Sequence, residues 1–456
     1  MYDLLIRNGL LVTPESTFAA DIAISGEKIT AVGAPGTFKN AVDEYDAEGK
    51  YVLPGLIDPH VHMAHPYQGE LSADDFQTTT TAAAHGGVTT LIDFAIQWDK
   101  SKALAETIEL RRRQILGQAV VDFGLHAVPT KSTEETLHAV AKARPLGVPS
   151  FKIYMVYRQQ GRMVDDAVLS GLLAEMRQHD GLLMVHAENV SIAEFNQEAF
   201  LSKGHTGAAY FSRHKPNLVE AEAVNRALYF NRMADSQLYI VHLSTREGLE
   251  LLKHAQGNGE SAYAETCTHY LALTEDVYER PDGHHFICSP PLRSQADVDA
   301  LWSAVTDGSI SIISSDHCGF DLRQKNLGNG NFSKTPNGLP GVETRLPVIY
   351  TEGVHKGRIT LNRLVAVTST NVAKTFGLFP RKGIIQPGSD ADLIVLDIEK
   401  EHTLETQQLH CASGWTPYAG MKLRGFAQTT ILRGRFVVRD NVLVVDKGCG
   451  IYLPRC

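Results

Sequence analysis

"YVLPGLIDPHVHM" (residues 51–63) is an apolar run that ends on Asp58, His60 and His62. In a strand, side chains two apart point the same way, so His60 and His62 project together from one strand end. With 19 histidines in 456 residues, one H-x-H pair is expected by chance. Its meaning depends on what the other strands end in. Seven more apolar runs follow: "GVTTLIDFA", "DFGLHAV", "SFKIYMV", "GLLMVHA", "QLYIVHLS", "SAYAETC" and "SISIISSD". Between them lie stretches with helical spacing, such as "ALAETIELRRRQILGQ", "DDAVLSGLLAEMRQH", "EAEAVNRALYFNRMA" and "TREGLELLKHAQ". Continuous apolar strands alternating with amphipathic helices predict parallel strands covered by helices. Eight of them suggest a (β/α)8 barrel. A doubly wound sheet is the runner-up, but no G-x-G-x-x-G or Walker sequence marks a phosphate turn. "GNGNFSKTPNG" (328–338) follows no strand and reads as a long loop.

The two chain ends have a different texture. Residues 1–52 and 384–446 read as short strands separated by Gly, Asn and Pro, with "SGEK" (25–28) and "AEGK" (47–50) as hairpin turns. The expected organisation is a barrel over 53–383, a β-rich unit formed by both ends, and a tail at 447–456. Hydrophobic content of 43% and charged content of 21% are ordinary for a globular protein. A net charge of −9 argues against nucleic-acid binding, and "RRR" (111–113) reads as a solvated helix face. No stretch has the length of apolar residues that a membrane span needs. "MYDLLIRNGLLVTP" lacks the apolar block of a signal peptide, so a cytoplasmic location is expected. None of the six cysteines forms C-x-x-C, so free thiols are expected.

Catalytic groups of barrels sit at the C-terminal ends of strands. Those ends carry His60 and His62, Lys152, His186, His242 and Asp316. A lone histidine there is most simply a hydrogen-bonded cap. Four with an aspartate, at equivalent points, resemble a metal site suited to zinc or another divalent first-row metal. They exceed the three protein ligands of one catalytic zinc, which suggests two metals. Lys152 is either a barrel lysine paired with a carboxylate or, carboxylated by carbon dioxide, an anion with one oxygen for each metal.

With these residues in place, the chain resembles the cyclic amidohydrolases of the amidohydrolase superfamily, most closely the hydantoinase/dihydropyrimidinase group. "PGLIDPHVH", "SFKIYMVY", "VHAEN", "YIVHLS", "ETCTHYL", "SPPLR", "SSDHCGF", "PNGLPGVETR", "AKTFGLFPRKGII" and "GSDADLIVLD" carry the likeness, in order and nearly end to end. The resemblance implies a β-sandwich built by both chain ends beside the barrel. It implies one zinc held by His60, His62 and Asp316, another by His186 and His242, and carboxylated Lys152 bridging them. Tyr157 would donate to the substrate carbonyl, and Ser289 and Asn337 would bind the ring amide, mainly through backbone groups. Asp316 would carry the proton in hydrolysis of a hydantoin or dihydropyrimidine to an N-carbamoyl amino acid or ureido acid. A homotetramer or dimer goes with the family.

The alternatives are allantoinase, cyclic imide hydrolase and dihydroorotase, the last needing a basic site for a substrate carboxylate, for which Arg293 and Arg345 are the candidates. A non-enzymatic scaffold relative would have lost the ligand set, which this chain keeps. The loops "MAHPYQGE" (63–70) and "RQQGRM" (158–163) flank the expected mouth, and the second is more polar than an apolar gate for bulky aromatic groups. His65 and His317 read as neighbours of the ligands or surface residues.

Overall fold

The computed structural model describes residues 1–456. All eight apolar runs are strands: Leu56–Val61, Val88–Ile96, Asp122–Val128, Ser150–Tyr154, Leu182–His186, Leu238–Ile240, Ala262–Cys267 and Ile312–Ser314. Each pairs in parallel with the next in sequence, giving one eight-stranded sheet in chain order. The strands read as unbroken apolar runs because helices cover their outer face and side chains fill the inside. Four of the covering helices are Leu104–Ile115, Asp166–Gln178, Asn217–Ala234 and Arg246–Gly257. Asp165 and Thr245 start two of them by accepting from the backbone N–H of Val168 and Gly248.

The sheet closes between its first and eighth strands with few ladder bonds. The His62 N–H donates to the His317 carbonyl at 2.7 Å, and Val61 bridges His317. The fully buried Arg345 guanidinium supplies what the ladder lacks. It donates to the carbonyls of Ile57 on the first strand, at 3.0 Å, and Ile313 on the eighth, at 3.1 Å. Arg345 is therefore a staple of the barrel seam and is not available to a substrate. Arg293 is also buried and spent, on Ser244 Oγ and the Lys215 carbonyl.

Both chain ends build one nine-stranded mixed sheet. Its first strand, Tyr2–Val12, serves two layers. Tyr2–Arg7 pairs in parallel with Ala41–Asp46, and Leu10–Leu11 pairs in parallel with Tyr51–Val52. Between the layers pack Leu4, Ile6, Ile22, Leu393, Val395 and Ile431, the core of a β-sandwich. "SGEK" is the expected hairpin. "AEGK" is not: the strands on either side of it follow one another along the same partner. Glu48 and Gly49 have positive φ and jog the strand instead of reversing it.

Residues 447–456 run beneath the barrel, where Tyr452 bridges Phe123. Leu453 and Arg455 are buried there, and Arg455 donates to the Leu125 carbonyl and to Ser150 Oγ. The "RRR" segment also departs from its reading. Arg111 leans on the Phe76 ring and pairs at 2.6 Å with buried Asp93, which backs the His60 strand. No helix is long and apolar enough to cross a membrane. All six cysteines are free.

Candidate active site

A cavity of about 490 Å³ opens at the C-terminal ends of the barrel strands. The volume suits a small ligand. His62, Lys152, His186, His242 and Asp316 line it, with buried His60 directly behind. The atoms that could ligate a metal form two groups. In one, His60 Nε2 and His62 Nε2 lie 3.0 and 3.3 Å from Asp316 Oδ1. In the other, His186 Nδ1 and His242 Nε2 face each other at 3.0 Å. Lys152 Nζ is 2.7 Å from His60 Nε2 and 4.3 Å above the Phe94 ring.

Two buried carboxylates decide which ring nitrogens carry protons. Glu265, within the seventh strand, accepts from His60 Nδ1 and from Tyr239 Oη. Glu188, two residues past His186, accepts from His186 Nε2 at 2.7 Å. With those nitrogens protonated, His60 Nε2 and His186 Nδ1 present lone pairs to the site. Carboxylate–histidine pairs of this kind orient metal ligands and raise their basicity. His62 Nδ1 and His242 Nδ1 are buried without a partner.

The titration of the site follows from burial. Burial lowers His62 to about 3, with Asp316 opposing. It lowers His186 to about 4, against the pull of Glu188, and holds His242 well below its usual range. These three rings are neutral, as metal ligands would have to be; at His60 burial and Lys152 also push down, but Asp316 and Glu265 outweigh them and raise it. Burial alone would raise Asp316, but His60 and His62 outweigh it and keep the carboxyl well below its usual range. Burial lowers Lys152 to about 8, although Asp316 and Glu265 favour its cation. Its amine is far easier to deprotonate than an exposed lysine's. Converging lone pairs, a carboxylate, neutral imidazoles and a weakened ammonium fit a pair of divalent cations better than they fit each other.

Three of the site residues stand on left-handed backbone: Tyr157 at φ 66°, His242 at φ 41° and Asp316 at φ 46°. For residues other than Gly, Asn or Asp this conformation is rare, and it costs of order 1–3 kcal/mol. Each lies just past the end of an even-numbered strand, where the chain turns out of the barrel. Their side chains are thereby aimed back across the mouth.

Tyr157 is half-buried against His186, ring to ring at 5.3 Å. Burial raises its phenol to about 12, with Arg162 opposing, so it is a hydrogen-bond donor at neutral pH. Ser289 Oγ is occupied by Glu188 Oε2 at 2.8 Å and Lys215 Nζ at 2.5 Å. The backbone N–H and C=O groups of Ser289 and Asn337 take no internal partner, and both residues line the cavity. The two loops are tied by buried Lys325, which donates to the carbonyls of Ile287, Pro336 and Gly338 at 2.8–2.9 Å.

His65 lines the cavity beside His62 and Trp98. His317 is buried with Asp74 and Cys411 in a second cluster of ligand-type atoms. The N–H groups of Gly341 and Val342 both point at His317 Nδ1, which puts the ring proton on Nε2, facing Asp74 at 3.4 Å. That nitrogen has no lone pair for a metal, and the cluster is held instead by the bonds of Asp74 Oδ1 to the N–H groups of Ala412 and Ser413, with His317 Nε2 and Asp74 Oδ2 left without partners.

Four functional groups were missed in the sequence: Glu188, Glu265, Lys215 and Arg162. Glu188 in "HAEN" and Glu265 in "AETC" are the legible ones, because one carboxylate follows a barrel strand and the other interrupts an otherwise uncharged one.

A model of the amidohydrolase family matches residues 51–437. The D-hydantoinase of Geobacillus stearothermophilus is 39% identical over 455 residues, covering 99% of this chain and 96% of that protein. Among solved structures, the D-hydantoinase of Bacillus sp. AR9 superposes with a TM-score of 0.97 at 38% identity, covering 99% of both chains. The dihydropyrimidinase of Brevibacillus agri NCHU1002 gives 0.96 at 38% identity, covering 99% of this chain and 98% of the other. With the whole chain matched in sequence and fold, the protein belongs to the amidohydrolase family, in its hydantoinase/dihydropyrimidinase group.

Proposed function

We propose that the protein hydrolyses the cyclic amide bond of hydantoins or dihydropyrimidines at a two-metal site. The observation that carries this is the pair of ligand groups, each with a carboxylate behind one histidine, on either side of buried Lys152. His60, His62 and Asp316 would hold one divalent ion, most simply zinc, and His186 and His242 the other. The neutral amine of Lys152 would add carbon dioxide and release a proton, giving a carbamate with one oxygen for each ion. Bound metals of this kind acidify a water and polarise a carbonyl.

The protein's own groups supply the rest. The unpartnered backbone groups of Ser289 and Asn337 hold the ring amide in place. Water adds to the ring carbonyl carbon, and Tyr157 donates to the carbonyl oxygen as charge builds on it. Asp316, on the cavity wall, takes the water's proton and passes it to the ring nitrogen as the C–N bond breaks. The product is an N-carbamoyl amino acid or a ureido acid. The family resemblance supports a homotetramer or a dimer, which sedimentation would tell apart.

The test is a turnover panel of hydantoin, dihydrouracil, allantoin, dihydroorotate and a cyclic imide, with metal analysis of the same preparation. Opening of hydantoin or dihydrouracil is expected, with close to two divalent ions per chain. A metal-loaded protein that opens neither ring would overturn the reading.

A further inference from the structure

The loop 158–163 brings one cation into the cavity that the proposed reaction does not use. Arg162 lines the cavity and is only 9% exposed. Its guanidinium lies 4.2 Å from the centre of the Tyr157 ring, 5.2 Å from Tyr154 and 5.5 Å from Trp98. Its Nε is buried without a partner, and its side chain's one protein acceptor is the amide oxygen of Gln160. No carboxylate of the chain pairs with it. Glu194, also on the cavity wall, is taken by Arg158 at 3.1 Å, and Asp316 by His60 and His62. Of the two lysines on the wall, Lys215 is neutralised by Glu188 at 2.9 Å and Lys152 belongs to the candidate metal site.

A guanidinium stays charged at any working pH, and burying it unpaired is costly. The aromatic faces around it return part of that cost through cation–π attraction. They offer no acceptor to Nε, and Gln160 takes only one of the terminal N–H groups. A carboxylate is the group that matches those donors in both charge and geometry. A neutral ureido or amide group would accept hydrogen bonds but leave the charge uncompensated.

We propose that Arg162 is the specificity residue for the substrate's exocyclic group, and that this group carries a carboxylate. The natural substrate class is then a hydantoin or dihydropyrimidine with an anionic ring substituent. This rests on the ring-opening reading above and narrows it. It also places the basic site for a carboxylate on the "RQQGRM" loop, since Arg293 and Arg345 are spent on the scaffold.

The experiment uses the metal-loaded enzyme and four probes: hydantoin, 5-(carboxymethyl)hydantoin, its carboxamide, and 5-benzylhydantoin. The expected result is a kcat/KM for the acid about 10- to 100-fold above that for the amide, the range of a charge-assisted hydrogen bond. In Arg162→Gln the acid-to-amide ratio should fall to about one, and Arg162→Lys should keep part of it. The ratio is read within each variant, so a general loss transmitted through Tyr157 cancels. Calorimetric binding of the acid and the amide gives the same comparison without turnover. A wild-type ratio at or below one, a ratio unchanged in Arg162→Gln, or a preference for the benzyl compound over the acid would overturn the proposal. If none of the rings opens, the reaction reading falls, and the calorimetric acid-to-amide preference alone decides for or against Arg162.

Discussion

Tyr157→Phe removes a single oxygen from the site and leaves the rest of the side chain in place. The ring contacts at Arg162 (4.2 Å), His186 (5.3 Å) and Tyr154 (5.6 Å) do not involve that oxygen. Stability should therefore change by no more than ~1 kcal/mol, the net value of one hydrogen bond. Metal content should not change, because no ligating atom is touched. If the hydroxyl meets the developing oxyanion, its loss should lower kcat by about 10²–10³, or ~2.7–4 kcal/mol. The phenol is raised to about 12, so it stays a donor across the working range, and no limb of the pH–rate profile should vanish with it. Steady-state kinetics on hydantoin and dihydrouracil, with metal counted in the same samples, is the assay. A fall in kcat with little change in KM marks an interaction made only in the transition state. A rise in KM alone would make Tyr157 a ground-state contact. A turnover number within about threefold of wild type, with both metals bound, would refute the oxyanion role.

Lys325→Met should loosen the two loops that present Ser289 and Asn337, since three buried carbonyls lose their common donor. The melting temperature should fall, at about 1–3 kcal/mol per unsatisfied group, and KM should rise; an unchanged KM would separate the clamp from substrate binding. Glu188→Gln weakens the acceptor behind His186 and should cost 10- to 100-fold in metal affinity, measured by chelator competition. Equal affinity in the variant would count against the role given to Glu188. Glu220 is raised to about 7, first by burial, with Arg293 and the Ser244 N–H pulling the other way. The folded state thus holds a proton that the unfolded chain gives up near 4.5. Its stabilisation is full below that pH and is lost as pH rises through about 7. Glu220→Gln should therefore be more stable than wild type at pH 8, by ~3 kcal/mol at most, and close to it at pH 5. Denaturant melts at the two pH values check the sign.

The barrel was legible because its signal is repeated. Each of eight runs could be doubted singly, but apolar runs alternating with helical spacing leave few other folds. The candidate ligands stood out for the same reason: His60, Lys152, His186, His242 and Asp316 lie at or near the ends of strands in the repeat, and the structure brings them to one cavity. "AEGK" misled because a jog and a hairpin both call for a glycine at positive φ, as Gly49 and Gly26 show, and differ in which strand lies alongside. Arg345 and Arg293 looked like candidates for a substrate because an arginine's sequence neighbours do not say where a long side chain ends. Arg345 reaches the seam and Arg162 reaches the mouth, and only the packed structure tells them apart.

What the sequence conceals is the layer behind the ligands, and that layer explains why the ligands can be where they are. His242 stands on left-handed backbone that a histidine rarely adopts, and Asp316 on the same conformation, so the chain must be held at both points. The His242 N–H is held by Glu265 at 3.3 Å, and the Ser315 N–H, one residue before Asp316, by Asp58 Oδ1 at 3.3 Å. Glu265 at the same time fixes the proton of His60, and Asp58 lies 3.7 Å from the Arg345 guanidinium at the barrel seam. The same buried acids thus close the barrel, restrain the backbone and orient the imidazoles. A substitution at Glu265 should accordingly lower stability and metal affinity together, whereas one at Glu188, which is bonded to no strained backbone, should lower metal affinity with the smaller effect on stability. Parallel melting curves and chelator titrations of Glu265→Gln and Glu188→Gln test that contrast, and equal stability losses in the two variants would refute it.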